Sequence, residues 1–279
     1  MRRDYVYRDI KATIEGDVPE GKGYSRWGSI RIHLKQQSHE PDECYELFNE
    51  AVAIELARIS GLPVLDQFFF LQGSDLYSIT PRISNEGSPP MTSFRLKKAL
   101  SQNKRLTHGM ILFDLWIANN DRRAANIQHA RKSGEFYLID FGNALLYRSH
   151  KKGLPRLEEM EQHPENLYNE KDKPYEYTDL LQEPDEVDLW CDRFSSIPEW
   201  IIENAVEKGD QVFQLAGTVV EPSPGALKSK VFDFLIKRKN ILKALSEYLA
   251  NIGIFANYKP QPEQDTNNTD TETKGEGEK

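Results

Sequence analysis

Cysteine is scarce: only Cys44 and Cys191 occur in 279 residues, far apart and with no C-x-x-C. That excludes a mini-protein framed by disulfides and, with no histidine pair at ligand spacing, gives no zinc pattern; a reducing compartment fits. Long apolar runs are also missing. None approaches the roughly 18 residues that a membrane span needs. The N-terminus, MRRDYVYRDIKATIEGD, is charged and mixed where a secretory leader would carry an apolar stretch. A soluble, cytoplasmic protein with no membrane partner is expected. Positive charge is in deficit, with 36 Lys and Arg against 44 Asp and Glu, a formal charge of -8. No direct nucleic-acid partner is therefore expected, although a local basic cleft stays open. No internal repeat is visible.

What is there suffices for a core. With 38% hydrophobic and 10% aromatic residues, the chain can form one domain or two tightly joined lobes. Ser29 to Lys35 alternates Ile30, Ile32 and Leu34 with Arg31, His33 and Lys35, a half-buried strand that follows Gly21, Gly23 and Gly28. Glu43 to Ser60 repeats Leu47, Ala51, Ile54 and Ile59 at helical steps and stops at Gly61 and Pro63. Val64 to Leu71 and Asp75 to Ile79 read as a hairpin turned at Gln72, Gly73 and Ser74. Pro81 and the loop from Asn85 to Pro90 break the pattern. Residues 1–84 are thus expected to form a small mixed N-terminal lobe. A mainly helical lobe is expected over 85–258, with a buried helix at His108 to Asn119, a strand at Glu135 to Ile139, and helices at Pro198 to Lys208, Asp210 to Leu215 and Ala226 to Asn251. Residues 259–279 carry no aliphatic or aromatic side chain and are expected to be a disordered acidic tail. The fold class is α+β.

The strongest chemical signal lies in NNDRRAANIQHARKSGEFYLIDFGNAL, where Asn126 follows Asp121 by five positions and Asp140 follows Asn126 by fourteen at the end of an apolar strand. Phosphoryl transfer from ATP needs a carboxylate to accept the proton of the attacking hydroxyl and oxygen ligands for the magnesium that bridges the phosphates. Asp121 fits the first role, and Asn126 and Asp140 fit the second. Gly142 would let the backbone turn sharply past the metal ligand, where a side chain would crowd the loop. Each residue alone is an ordinary loop former; their order, spacing and frame make them a site. Upstream, such a site needs a strand lysine for the phosphates and a helical glutamate to hold it, which Lys35 and Glu50 supply. Tyr77 to Ser84 lies where a hinge would offer the backbone of Arg82 and Ile83 to adenine, or is only a strand and a linker. The glycine stretch EGDVPEGKGYSRWGS, with Ser25 and Ser29, matches neither G-x-G-x-x-G-x-V nor a P-loop.

FNEAVAIELARISGLPV, FDLWIANNDRRAANI and FYLIDFGNAL resemble the Asn-Glu helix, catalytic loop and metal-binding loop of the HipA-like kinase family, from roughly Gly23 to Leu146. The resemblance implies a bilobal protein-kinase-like fold, ATP and Mg2+ as cofactors, and transfer to a hydroxyl of protein Ser or Thr. It puts Lys35 on ATP with Glu50 beside it, Asp121 as base, and Asn126 and Asp140 on metal. Asn119 stands two before Asp121 where many protein kinases have His. Two alternatives stay open: a small-molecule phosphotransferase, and a pseudokinase that presents acidic faces such as Glu158 to Glu161 and Glu183 to Asp188 to a basic partner.

Overall fold

The structure, a computed structural model, describes residues 32–37, 44–73, 75–83, 91–130, 133–147, 153–168, 175–215, 217 and 224–261. The glycine stretch with Ser25 and Ser29, the Asn85 to Pro90 loop and the tail beyond Gln261 lie outside these residues. Mixed α+β architecture results. A three-stranded antiparallel sheet, in the order β1 (Ile32–Gln36), β3 (Asp75–Pro81), β2 (Phe68–Gln72), sits beside a helical body that also carries a two-stranded hairpin, β4 (Ile127–Ala130) and β5 (Glu135–Leu138).

The first sheet obeys the period-2 rule. Along β3, Leu76, Ser78 and Thr80 are buried while their neighbours are half-buried, and Lys35 on β1 pairs in register with Ser78. Two of the three inward β3 residues are polar, which prepares this face for charge. Helix α1 (Glu46–Ile59) lies under it, with Leu47 and Ala51 closing a small core against Leu76 and Val212. The expected strand from Val64 is shorter than its apolar run. β2 starts only at Phe68, because Val64 bridges to Leu138 and Leu138 N donates to Pro63 O at 2.8 Å.

Helices α2 (Ser93–Gln102) and α3 (Lys104–Trp116) follow, each opened by a side-chain cap, Thr92 and Asn103. Met110 to Trp116 is buried all round, as its lack of a polar face predicts, and α3 becomes the axis of the body. Around it stand α4 (Gly153–Gln162), α5 (Pro184–Ser195), α6 (Glu199–Leu215), α7 (Pro224–Asn240) and α8 (Leu242–Asn251). The acidic runs at Glu158 to Glu161 and Glu183 to Asp188 fall largely on α4 and α5.

Two expected helix boundaries are corrected. Pro198 to Lys208 and Asp210 to Leu215 are one helix, α6, because Gly209 does not break it: a Cβ there would lie 2.4 Å from Val52 Cγ2, so glycine serves the close approach of α6 to α1. Conversely, Ala226 to Asn251 is two helices that part at Ile241. No helix among the described residues is long and apolar enough to cross a membrane.

Candidate active site

Lys35 organises the first half of the site. Its side chain is only 7% exposed, and its ammonium bonds Glu50 Oε1, Asp140 Oδ1 at 3.0 Å and Glu46 Oε1 at 3.1 Å. One cation thus meets three carboxylates from two elements. Burial alone would lower the pKa of Lys35, but Asp140, Glu50 and Glu46 together outweigh it and hold the amine charged, well above its ordinary value. Glu50 is pushed up by burial and by its carboxylate neighbours, against the pull of Lys35. Its second oxygen accepts from Gln67 Nε2 at 2.6 Å, and Gln67 also donates to Ser78 Oγ.

Helix α1 supplies more than Glu50. Glu46 lies one turn earlier on the same face. Asn49, between them, donates to Gly142 O at 3.0 Å and Tyr147 O at 2.6 Å and accepts from Leu146 N, pinning the loop that follows Asp140. Of the two reasons expected for Gly142, the sharp turn is corrected and the crowding holds. The left-handed backbone belongs to Asp140, with φ of 56°, a conformation non-glycine residues adopt at a cost. Gly142 is needed for space, since a Cβ there would stand 2.7 Å from Glu46 Cγ.

The second half is the loop after α3. Ala118, at φ 52°, reverses the chain. Asp121 is buried; Asn143 Nδ2 donates to its Oδ2 at 2.7 Å, and Arg123 Nε lies 3.3 Å from its Oδ1. Asn126 donates its amide to Asp121 O, closing the loop and leaving its Oδ1 as the atom available to a ligand. Ile139 N donates to Asn126 O at 3.1 Å, so the backbone beside Asp140 is stitched to Asn126.

Arg122 fastens this stitch from within. Completely buried, it donates from Nε and Nη2 to Asp114 at 2.9 and 3.0 Å, and from Nη1 to Asn126 O and Ile139 O at 3.0 and 2.8 Å. Asp114 also accepts from Asn119 Nδ2 at 2.7 Å and Tyr175 OH at 2.8 Å. Asn119, two residues before Asp121, thus braces the loop through Asp114.

At the far edge, Arg82 is exposed, and Ile83 N donates to Gln128 Oε1 at 2.8 Å. The structure therefore brings together Lys35, Glu50 and Asp140 by direct contact, and Asp121, Asn126 and Asp140 by loop bonding. Glu46, Asn49, Gln67, Asp114, Arg122, Gln128 and Asn143 were not singled out from the sequence. For Asp114 a signal existed: it is the lone acid in the apolar run HGMILFDLWIAN, and a buried carboxylate needs a partner. Glu46, Glu50 and Asp140 each offer an oxygen within 4.8 Å of the others, a set of hard donors with the Lys35 ammonium among them.

No family model and no curated protein matches the sequence. Six chains of solved structures match the structure. One, a Helicobacter pylori proinflammatory kinase CtkA, is 15% identical with a TM-score of 0.46, over 79% of this chain and 92% of that chain.

Proposed function

We propose that the protein is a HipA-like phosphotransferase that uses ATP and magnesium to phosphorylate a hydroxyl, on Ser or Thr of a protein substrate. The observation that carries this reading is the contact of Lys35 with Glu50 and Asp140, three residues from separate segments that converge on one buried point. A strand lysine held by a helical glutamate and an aspartate is a phosphate anchor with its charge fixed in advance. A bilobal arrangement, with the β1–β3 sheet over the nucleotide and the α3 body beneath, follows from the same reading.

Asp121 would accept the proton of the attacking hydroxyl. Asn143 fixes its rotamer, and the exposed Arg123 guanidinium lies beside its other oxygen. Lys35 would orient the phosphates of ATP. Asn126 and Asp140 would hold magnesium, with Glu46 in reach, and the chemistry the ion supplies when bound is neutralisation of phosphate charge. Arg122 and Asp114 do no chemistry; they set the spacing between the Asn126 and Asp140 backbones. Arg82 and Ile83 would flank the adenine.

Incubation with magnesium and γ-labelled ATP in cell extract, with products resolved by mass, tests the reading. Label in protein supports it, label only in small molecules moves the acceptor class, and bound ATP without transfer supports a pseudokinase instead.

A further inference from the structure

The nucleotide reading leaves one bond unaccounted for. Ile83 lies just past β3, and its N–H is the kind of donor an adenine ring nitrogen accepts. In the structure that N–H is already engaged, by Gln128 Oε1 at 2.8 Å. Gln128 is not a remote residue. It stands two positions after Asn126, and Ile127 between them is extended, with φ -131° and ψ 117°. Asn126 ends a short 3-10 turn and Gln128 is the second residue of β4, so across extended Ile127 their Cα atoms lie on the order of 7 Å apart. The segment that offers an amide to magnesium and phosphate thus offers a second amide, one step on, to the base end.

Resting on the reading above, we propose that Gln128 is a base-specificity residue: its side-chain carbonyl stands in for the purine ring nitrogen on Ile83 N–H, and a nucleotide must displace it to bind. Binding then exchanges one N–H···O bond for one N–H···N bond, and the freed Gln128 amide turns to water or to the base. A ligand without a ring acceptor cannot make the exchange. Phosphate affinity and base affinity are set by different residues two positions apart.

The test measures, by calorimetry with magnesium, the dissociation constants of ATP and of inorganic tripolyphosphate for the wild type, Gln128→Ala and Gln128→Glu. Tripolyphosphate has no base and reports the phosphate end alone. Removing the competing acceptor in Gln128→Ala is expected to tighten ATP by about two- to tenfold relative to tripolyphosphate. A carboxylate acceptor binds N–H more strongly, so Gln128→Glu is expected to weaken ATP relative to tripolyphosphate. Opposite shifts by the two variants support the proposal, because a bond that merely tied β4 to the linker would move both in one direction or neither. If the ratio stays constant in both variants, or rises in both, the proposal is overturned while the nucleotide site stands. If the wild type binds neither ligand, the site reading itself fails and takes this proposal with it.

Discussion

Asp114 and Arg122 form a bidentate ion pair with both side chains at 0% exposure, eight residues apart across the end of α3. Such a pair is costly to bury and far more costly to break on one side, because the remaining charge has no water. Arg122→Ala is expected to destabilise the protein by about 3–5 kcal/mol, read as a lower denaturant midpoint. The double variant Asp114→Leu, Arg122→Met should lose less than Arg122→Ala, since neither charge is stranded.

Lys35 balances more negative charge than it carries. In Lys35→Met, the carboxylates of Glu46, Glu50 and Asp140 face one another without their cation. Lower thermal stability is expected, with a larger rise on adding magnesium than the wild type shows. Thermal melts with and without the ion check this, and equal rises would contradict the three-carboxylate account.

Gly209 should reverse the usual helix rule. Inside a helix, alanine normally improves on glycine by about 1 kcal/mol. Here the added Cβ meets Val52 Cγ2 at 2.4 Å and Phe48 ring carbons at 3.2 Å, and such overpacking costs about 1–3 kcal/mol. Gly209→Ala is expected to lower stability, and Val52→Ala in the same chain to recover part of the loss. The displaced helix would be α1, which carries Glu46 and Glu50, so phosphate transfer should fall as well.

His108 gives stability a pH dependence. Its Nε2 accepts from Gln182 N and Glu183 N at 3.1 and 2.9 Å, at the start of α5, while Nδ1 donates to Lys104 O at 2.7 Å. The ring must be neutral to serve both backbone donors. Burial, ahead of any charge effect, lowers its pKa in the folded protein. The unfolded chain, near 6.5, then binds the proton more readily. The His108 contribution is complete above about pH 6.5 and is lost as pH falls through the lower folded value. Denaturation midpoints at falling pH should show a shallower slope in His108→Gln than in the wild type.

How far these features could be read from the sequence varied with their range. Asp121, Asn126 and Asp140 were legible because one loop and one strand fix their order, and Lys35 and Glu50 because a strand and helix of the right type precede them. The function of Asn49 was not, nor was the partner of Gly142, since each is a contact between α1 and a loop more than ninety residues later. That a side chain at Gly142 would crowd the loop was legible; that Glu46 is what it would meet was not. Helices α2 and α4 were hidden because their apolar stripes are narrow: α4 buries only Gly153, Arg156, Leu157 and Met160. α5 was readable, with Val187, Trp190, Cys191 and Phe194 at full helical spacing, and was passed over for its acidic run. β4, at four residues, is too short for alternation to mark it. Gly209 misled in the other direction, as a breaker by propensity that packing keeps inside a helix.

In the proposed function, Asp121 does the chemistry while Lys35, Asn126 and Asp140 hold the nucleotide and its ion. Asp121→Asn preserves shape and removes the base, so the most direct measurement pairs its dissociation constant for magnesium-ATP with its rate of label transfer. Binding close to that of the wild type is expected, with transfer reduced by about 10²- to 10⁴-fold. Transfer at the wild-type rate, with binding intact, would contradict it.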